Sequence, residues 1–343
     1  MRDECAAHER AKFTLEAAMN PSGPVPPETS PPASLGGKIV QLAELSFTAL
    51  DELDRDRTVV IFAVSPLEEH GPHLPVGTDV FHAEFFNQEL AKRILERKPG
   101  WTVVVGPPLP IGASAFEHAG TLLVRARTVR NATLDYGAAL ARQGFRYLLV
   151  TNGHAGPRHV VALEEAAAVV SRRFGVRMLS VSGPILWKFL RGGFNDRLEF
   201  LLGRPLTLAE REAMRGDSHG GLWETSLLLR ARPELVAPGF RELPPVCFPL
   251  LDALKKNYPL RLGNRLGYIG APAAASAEFG ELARKLLVDA AWEIVQPVFD
   301  AQDGSWQRTS FLYKLPFFRT AFPYVAAAVG LGVAAWLMIR WLA

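Results

Sequence analysis

Thr58-Val59-Val60-Ile61-Phe62-Ala63-Val64 runs, three residues later, into Glu68-Glu69-His70-Gly71-Pro72-His73-Leu74-Pro75-Val76-Gly77-Thr78-Asp79. The first stretch is apolar and β-branched, the pattern of a strand buried on both faces. Gly and Pro cannot extend a ladder, so the acidic and imidazole side chains fall on a loop at the strand's C-terminal end. Open α/β sheets bind ligands along that edge. Carboxylate oxygens and imidazole nitrogens gathered in one place suit a hard or borderline divalent metal.

Two further segments repeat the pattern. Phe145-Arg146-Tyr147-Leu148-Leu149-Val150 leads into Thr151-Asn152-Gly153-His154-Ala155-Gly156, and Gly216-Asp217-Ser218-His219-Gly220-Gly221-Leu222-Trp223-Glu224-Thr225-Ser226 sets a His and a Glu five apart beside a glycine pair. Between them, residues 80–96, 130–143 and 159–174 read as helices, and residues 101–105 and 177–181 as strands. Such alternation predicts a three-layer α/β/α domain with a mainly parallel sheet and helices on both faces.

These motifs resemble the creatininase (creatinine amidohydrolase) family. The resemblance lies in Glu68-x-His70-Gly71-Pro72-His73-Leu74-Pro75, Asp79, Asn152-Gly153-His154 and His219-Gly220-Gly221 with Glu224-Thr225-Ser226. Ser114-Ala115-Phe116-Glu117-His118-Ala119-Gly120-Thr121 and Gly267-Tyr268-Ile269-Gly270-Ala271-Pro272 agree with it, so that it covers roughly residues 38 to 298. It implies a two-metal hydrolase in which Glu68 and His154 bind one ion, His70 the other, and Asp79 bridges them. Creatininase itself has a metal-binding Glu two residues after the Asn-Gly-His histidine, whereas this chain has Gly156. Either the second ion lacks a ligand or Glu224 replaces it, which puts creatinine in doubt as the substrate. The resemblance also implies a homo-oligomer.

The chemistry stands beside the resemblance. Two divalent ions held together acidify a water and polarise a carbonyl, a combination suited to an amide or other C–N bond. His219, on a Gly-flanked loop, is the candidate to exchange a proton with the leaving nitrogen, and Asp217 the candidate to orient that ring. Nitrogen and oxygen ligands without thiolate favour Zn, Mn or Fe. Ser114, Glu117, His118 and Trp223 are candidates to touch substrate, although a structural role on the loop serves Glu117 and His118 as well. Glu69 reads as a solvated group or one behind the ligands, His73 as a group behind the ligands or loop packing, and His82 and His159 as surface or capping-turn residues at helix starts. Cys5 and Cys247 form no redox or zinc motif.

With 38 basic and 35 acidic residues the chain is near charge balance, and no basic stripe interleaved with aromatics points to nucleic acid. Residues 1–36 are rich in Pro and read as a disordered tail, with a short helix an option over residues 9–19; no apolar core follows Arg2, so there is no secretory signal. The hydrolase domain spans residues 37–300. Within it residues 186–215, aromatic between charges, are either a lid or extra packing at an oligomer contact. A linker, 301–320, precedes residues 321–341, of which 321–339 carry no charge. As a helix those uncharged residues span roughly 28 Å, close to the hydrocarbon thickness. Lys314 and Arg319 precede the segment, Arg340 closes it, and Phe322, Tyr324 and Trp341 suit its interfaces. The expectation is a single-pass C-terminal anchor with the enzyme on the cytoplasmic side; the competing reading is a buried core helix.

The chain therefore reads as a membrane-anchored amidohydrolase for a small amide or a modified peptide. A catalytically silent, membrane-tethered scaffold of the same fold is the alternative, and a phosphoesterase lacks its Gly-rich phosphate loop and Arg clamp.

Overall fold

The computed structural model describes residues 37–190, 192–247 and 265–342. The expected tail and the optional helix over residues 9–19 lie outside the described residues. Five strands form one all-parallel sheet in the order β1-β3-β2-β4-β5. They are β1 (Lys38–Gln41), β2 (Thr58–Ala63), β3 (Thr102–Val105), β4 (Tyr147–Thr151) and β5 (Arg177–Ser180). The centre is β2, paired with β3 from Thr58↔Thr102 to Ile61↔Val105 and with β4 from Val59↔Tyr147 to Ala63↔Thr151. All six β2 residues are buried, as a strand covered on both faces requires.

Alternation along the strands divides the core. Val59, Ile61, Val103, Val105 and Leu149 face one layer with Leu90, Ala91 and Ile94 of helix α2, which follows the short α1 (Phe47–Asp51) and spans Thr78–Arg97. Val60, Phe62, Leu148 and Val150 face the other, packed on α3 (Ala126–Arg142) and α4 (Pro157–Phe174) through Val129, Leu163 and Val170. Each such side chain, once fully buried, contributes about 1.5–3 kcal/mol. The crossover from β2 leaves toward β3 and that from β4 toward β5, so adjacent strands send their chains to opposite sides and leave a crevice at their carboxyl ends. Pro157 at the first position of α4, where no N–H is needed, starts that helix at the crevice.

Residues 186–215 contribute to α5 (Ser182–Leu190), α6 (Asn195–Leu202) and α7 (Leu208–Met214). Phe194, Leu198, Leu206 and Ala213 are buried in the core shared with α8 (Leu222–Ala231) and α9 (Ala277–Asp300), so the segment packs as part of the domain. Short 3-10 turns then carry the chain across α4. There Glu164 accepts hydrogen bonds from the Ser310 N–H and hydroxyl, and Glu165 accepts one from the Thr320 hydroxyl and pairs with Arg319. The last helix, α10 (Phe322–Leu342), is long and apolar enough to cross a membrane. None of its candidate span is buried against the domain, so it is not a core helix.

Candidate metal centre

The loop after β2, the first turn of α2, the loop after β4 and the first turn of α8 converge on one crevice. His154 Nδ1 lies 2.9 Å from Glu68 Oε2 and 3.4 Å from Asp79 Oδ2. On the other side His70 Nε2 lies 3.3 Å from Asp79 Oδ1 and 3.5 Å from Glu224 Oε2. Two ligand groups result, Glu68/Asp79/His154 and His70/Asp79/Glu224, and Asp79 turns a different oxygen to each.

Backbone carbonyls fix which nitrogen each ring offers. His70 Nδ1 donates to the Glu68 carbonyl at 2.9 Å and His154 Nε2 to the Ala113 carbonyl at 3.2 Å. That leaves His70 Nε2 and His154 Nδ1 as the free lone pairs, aimed at the carboxylates; a metal-binding imidazole is held in this way. Glu68 is held in turn by the Phe116 N–H, 2.6 Å from Oε1.

Those atoms fit metal ions. Glu68 Oε2, His70 Nε2 and both Asp79 oxygens are buried and have no hydrogen-bond partner outside the cluster. Buried charges left so are expensive unless a counter-ion completes them. Burial opposes a charged His70, yet the Asp79 and Glu224 carboxylates outweigh it and lift the ring to about 10. Burial likewise opposes ionisation of Asp79 and Glu68, but the rings of His70 and His154 hold Asp79 well below the usual range, and those of His154 and His219 hold Glu68 below it. The cluster is thus a place made for positive charge, and loading ions there must displace protons from the rings.

His219 sits beside this centre. Its ring lies tilted against that of His70, centroids 4.2 Å apart, stands edge-on to Phe116 at 4.6 Å, and offers a nitrogen within 4.8 Å of the Glu68 and His70 ligand atoms. Nε2 donates to the Glu69 carbonyl at 2.7 Å, which leaves Nδ1 to exchange a proton. Asp217 does not orient this ring. Its oxygens accept from the Leu222 and Trp223 N–H groups at 2.7 and 3.0 Å, capping α8, and burial pushes the carboxyl up to about 7. The expected second carboxylate acts one step away: by fixing the start of α8 it aims Glu224 at His70. A Cβ at Gly221 would lie 1.7 Å from Asp217 Oδ1, so that glycine makes room for the cap.

The remaining candidates separate. Trp223 is buried and lines a cavity of about 160 Å³ beside His154 and Glu224, walled by Phe85, Phe86, Ile185, Phe189 and Leu287. Ser114, Glu117 and His118 stand exposed on their loop, Ser114 with a φ of 62°. His73 packs as expected, its Nε2 2.9 Å from the Thr225 hydroxyl. His82 and His159, expected at the surface, are buried; His159 Nε2 donates to the Val64 carbonyl at 3.0 Å and its ring meets that of His154 edge-on. Glu69 is buried, accepting from the Gly71 N–H, with Oε1 3.8 Å from His219 Nε2. His82 was legible in one respect, lying three residues after Asp79 on the same helix; nothing local marked His159.

Residues 43–295 match the family model described as creatinine amidohydrolase. The chain belongs to the creatininase family. A mycofactocin precursor peptide peptidase of Mycobacterium ulcerans (strain Agy99) is 30% identical over 264 residues, covering 74% of this chain and 90% of that protein. A creatinine amidohydrolase of Pseudomonas putida is 27% identical over 253 residues, 70% of this chain and 90% of that one. A solved creatininase carrying Mn aligns over 77% of this chain and 100% of its own, with a TM-score of 0.57 and 24% identity, a likeness of fold; a Zn–Zn form aligns as well. Within this creatininase-family chain Gly156 has a physical reason: a Cβ there would meet His154 Nε2 at 2.2 Å and the Ser114 carbonyl at 2.7 Å. A side chain at position 156 would force that ring and backbone to shift, while Glu224 belongs to the second candidate group with His70 and Asp79.

Proposed function

We propose that the chain is a dinuclear metal-dependent amidohydrolase, with Glu68, Asp79 and His154 holding one ion and His70, Asp79 and Glu224 the other. The observation that carries this reading is Asp79, fully buried, with one oxygen turned to each group. Zn, Mn and Fe all suit the donor set; relatives in the family carry Mn or Zn. Such ions supply a water that ionises near neutrality and a Lewis acid for a carbonyl oxygen. The chain's own residues do the rest. His219 Nδ1 exchanges the proton that the leaving nitrogen needs, Glu69 holds the ring by its carbonyl, and Asp217 keeps α8 and Glu224 in register.

Substrate follows from the cavity. Its aromatic and aliphatic walls favour an apolar group beside the scissile C–N bond, as in a modified peptide or an apolar amide, over a small polar ring such as creatinine. The apolar, uncovered α10 supports a single-pass anchor, and Lys314 and Arg319 ahead of it support a domain on the cytoplasmic side.

Elemental analysis of the detergent-purified full chain tests the centre. About two equivalents of Zn, Mn or Fe per chain are expected, with release of an amine from apolar amide or peptide substrates. A chain that binds none of the three when each is supplied would instead be the silent, membrane-tethered scaffold.

A further inference from the structure

Away from the metal centre, a second cavity of about 410 Å³ opens where the linker meets α10. Arg127 and Arg130 of α3, Arg172 of α4 and Arg319 of the linker line it, against one carboxylate, Glu165. Glu165 is already engaged: Oε1 lies 3.0 Å from Arg319 Nε and Oε2 lies 3.5 Å from Arg130 Nε. Arg127 lies over the Tyr324 ring at 5.1 Å, and no carboxylate pairs with Arg127 or Arg172 among the described residues. Unneutralised guanidinium groups around a concavity are built for a phosphate, which they grip in a fork. The rim is formed by Thr320 and Ala321, just ahead of the apolar helix, and by Tyr324 in its first turn; Phe317 and Phe322, close to them in the chain, are exposed.

We propose that this cavity binds the phosphate headgroup of an anionic phospholipid, whose acyl chains lie along α10. The proposal rests on the anchor reading above. If α10 enters a bilayer, its first turn lies at headgroup depth. The cavity then meets phosphates at high local concentration, whereas a soluble anion would have no use for the apolar rim.

The test uses the full chain in detergent, titrated by calorimetry with short-chain phosphatidylglycerol, short-chain phosphatidylcholine and inorganic phosphate. Phosphatidylglycerol should bind well ahead of the other two. Arg127→Gln with Arg172→Gln should weaken it by about 25-fold, roughly fivefold per arginine. Ala168→Trp, which fills the cavity and keeps every arginine, should weaken it also. Phosphatidylcholine binding as tightly, inorganic phosphate binding as tightly, or indifference to both changes would overturn the proposal. Alkaline carbonate extraction of native membranes separates its premise. A chain that stays in the membrane pellet yet shows no lipid preference defeats the pocket alone, and a chain released to the supernatant defeats the anchor with it.

Discussion

The metal centre and the C-terminal helix break the usual sorting of side chains in opposite directions. At the centre Glu68, His70, Asp79 and His154 are charged or polar and buried. Along α10, Leu331, Met338, Ile339 and Trp341 are apolar and exposed. Soluble domains rarely do either at length, because an unpaired buried charge costs several kcal/mol and a broad apolar face invites association. The first region suits cations, and the second, on the anchor reading proposed above, suits hydrocarbon. Between them lies the linker, fastened to α4 through Glu164 and Glu165.

The comparison breaks first at Asp79. Asp79→Ala should strip both ions and take hydrolysis below detection, read by elemental analysis and amine release; full metal retention would end the bridging assignment. Truncation after Thr320 should move the chain from the membrane to the soluble fraction and leave hydrolysis unchanged, which sharpens the separation of the two regions. His219→Ala should keep both ions while turnover falls about 10²- to 10⁴-fold, and an unaltered rate would place the proton elsewhere. Glu224→Gln should lower the occupancy of one ion only, seen as a drop toward a single equivalent.

The smallest effect is on the linker. Burial pushes the Glu164 carboxyl up to about 7 from 4.5, partly offset by the Ser310 hydrogen bonds and by Arg319. The folded state then keeps a proton that the unfolded chain releases. This contribution is complete below pH 4.5 and disappears as pH rises through about 7. In Glu164→Gln the fall in Tm across that window should flatten, as followed by calorimetry; an unchanged slope would show that other groups set it.

Most of the sheet was legible because strands buried on both faces are written as continuous apolar runs, as in Thr58–Ala63 and Tyr147–Thr151. The edge strand Lys38–Gln41, four residues long with polar ends, carries no such run and went unseen. The residues that gather in the crevice were legible because they come in short local bunches at strand ends and helix starts. What surrounds them was not. A histidine's identity says nothing of its burial, which is how His82 and His159 read as surface residues. Asp217 was misread because capping depends on where α8 begins, a matter of one residue. The apolar cavity was invisible because its walls come from α2, α5, α8 and α9 together.

A glutamate placed at position 156 would strike the His154 ring. The carbonyls of Ala113 and Ser114 close on the same point, so any side chain there requires the loop backbone to move first. The loop itself, and not only the ligand-type residues, thus decides which carboxylates can approach His154.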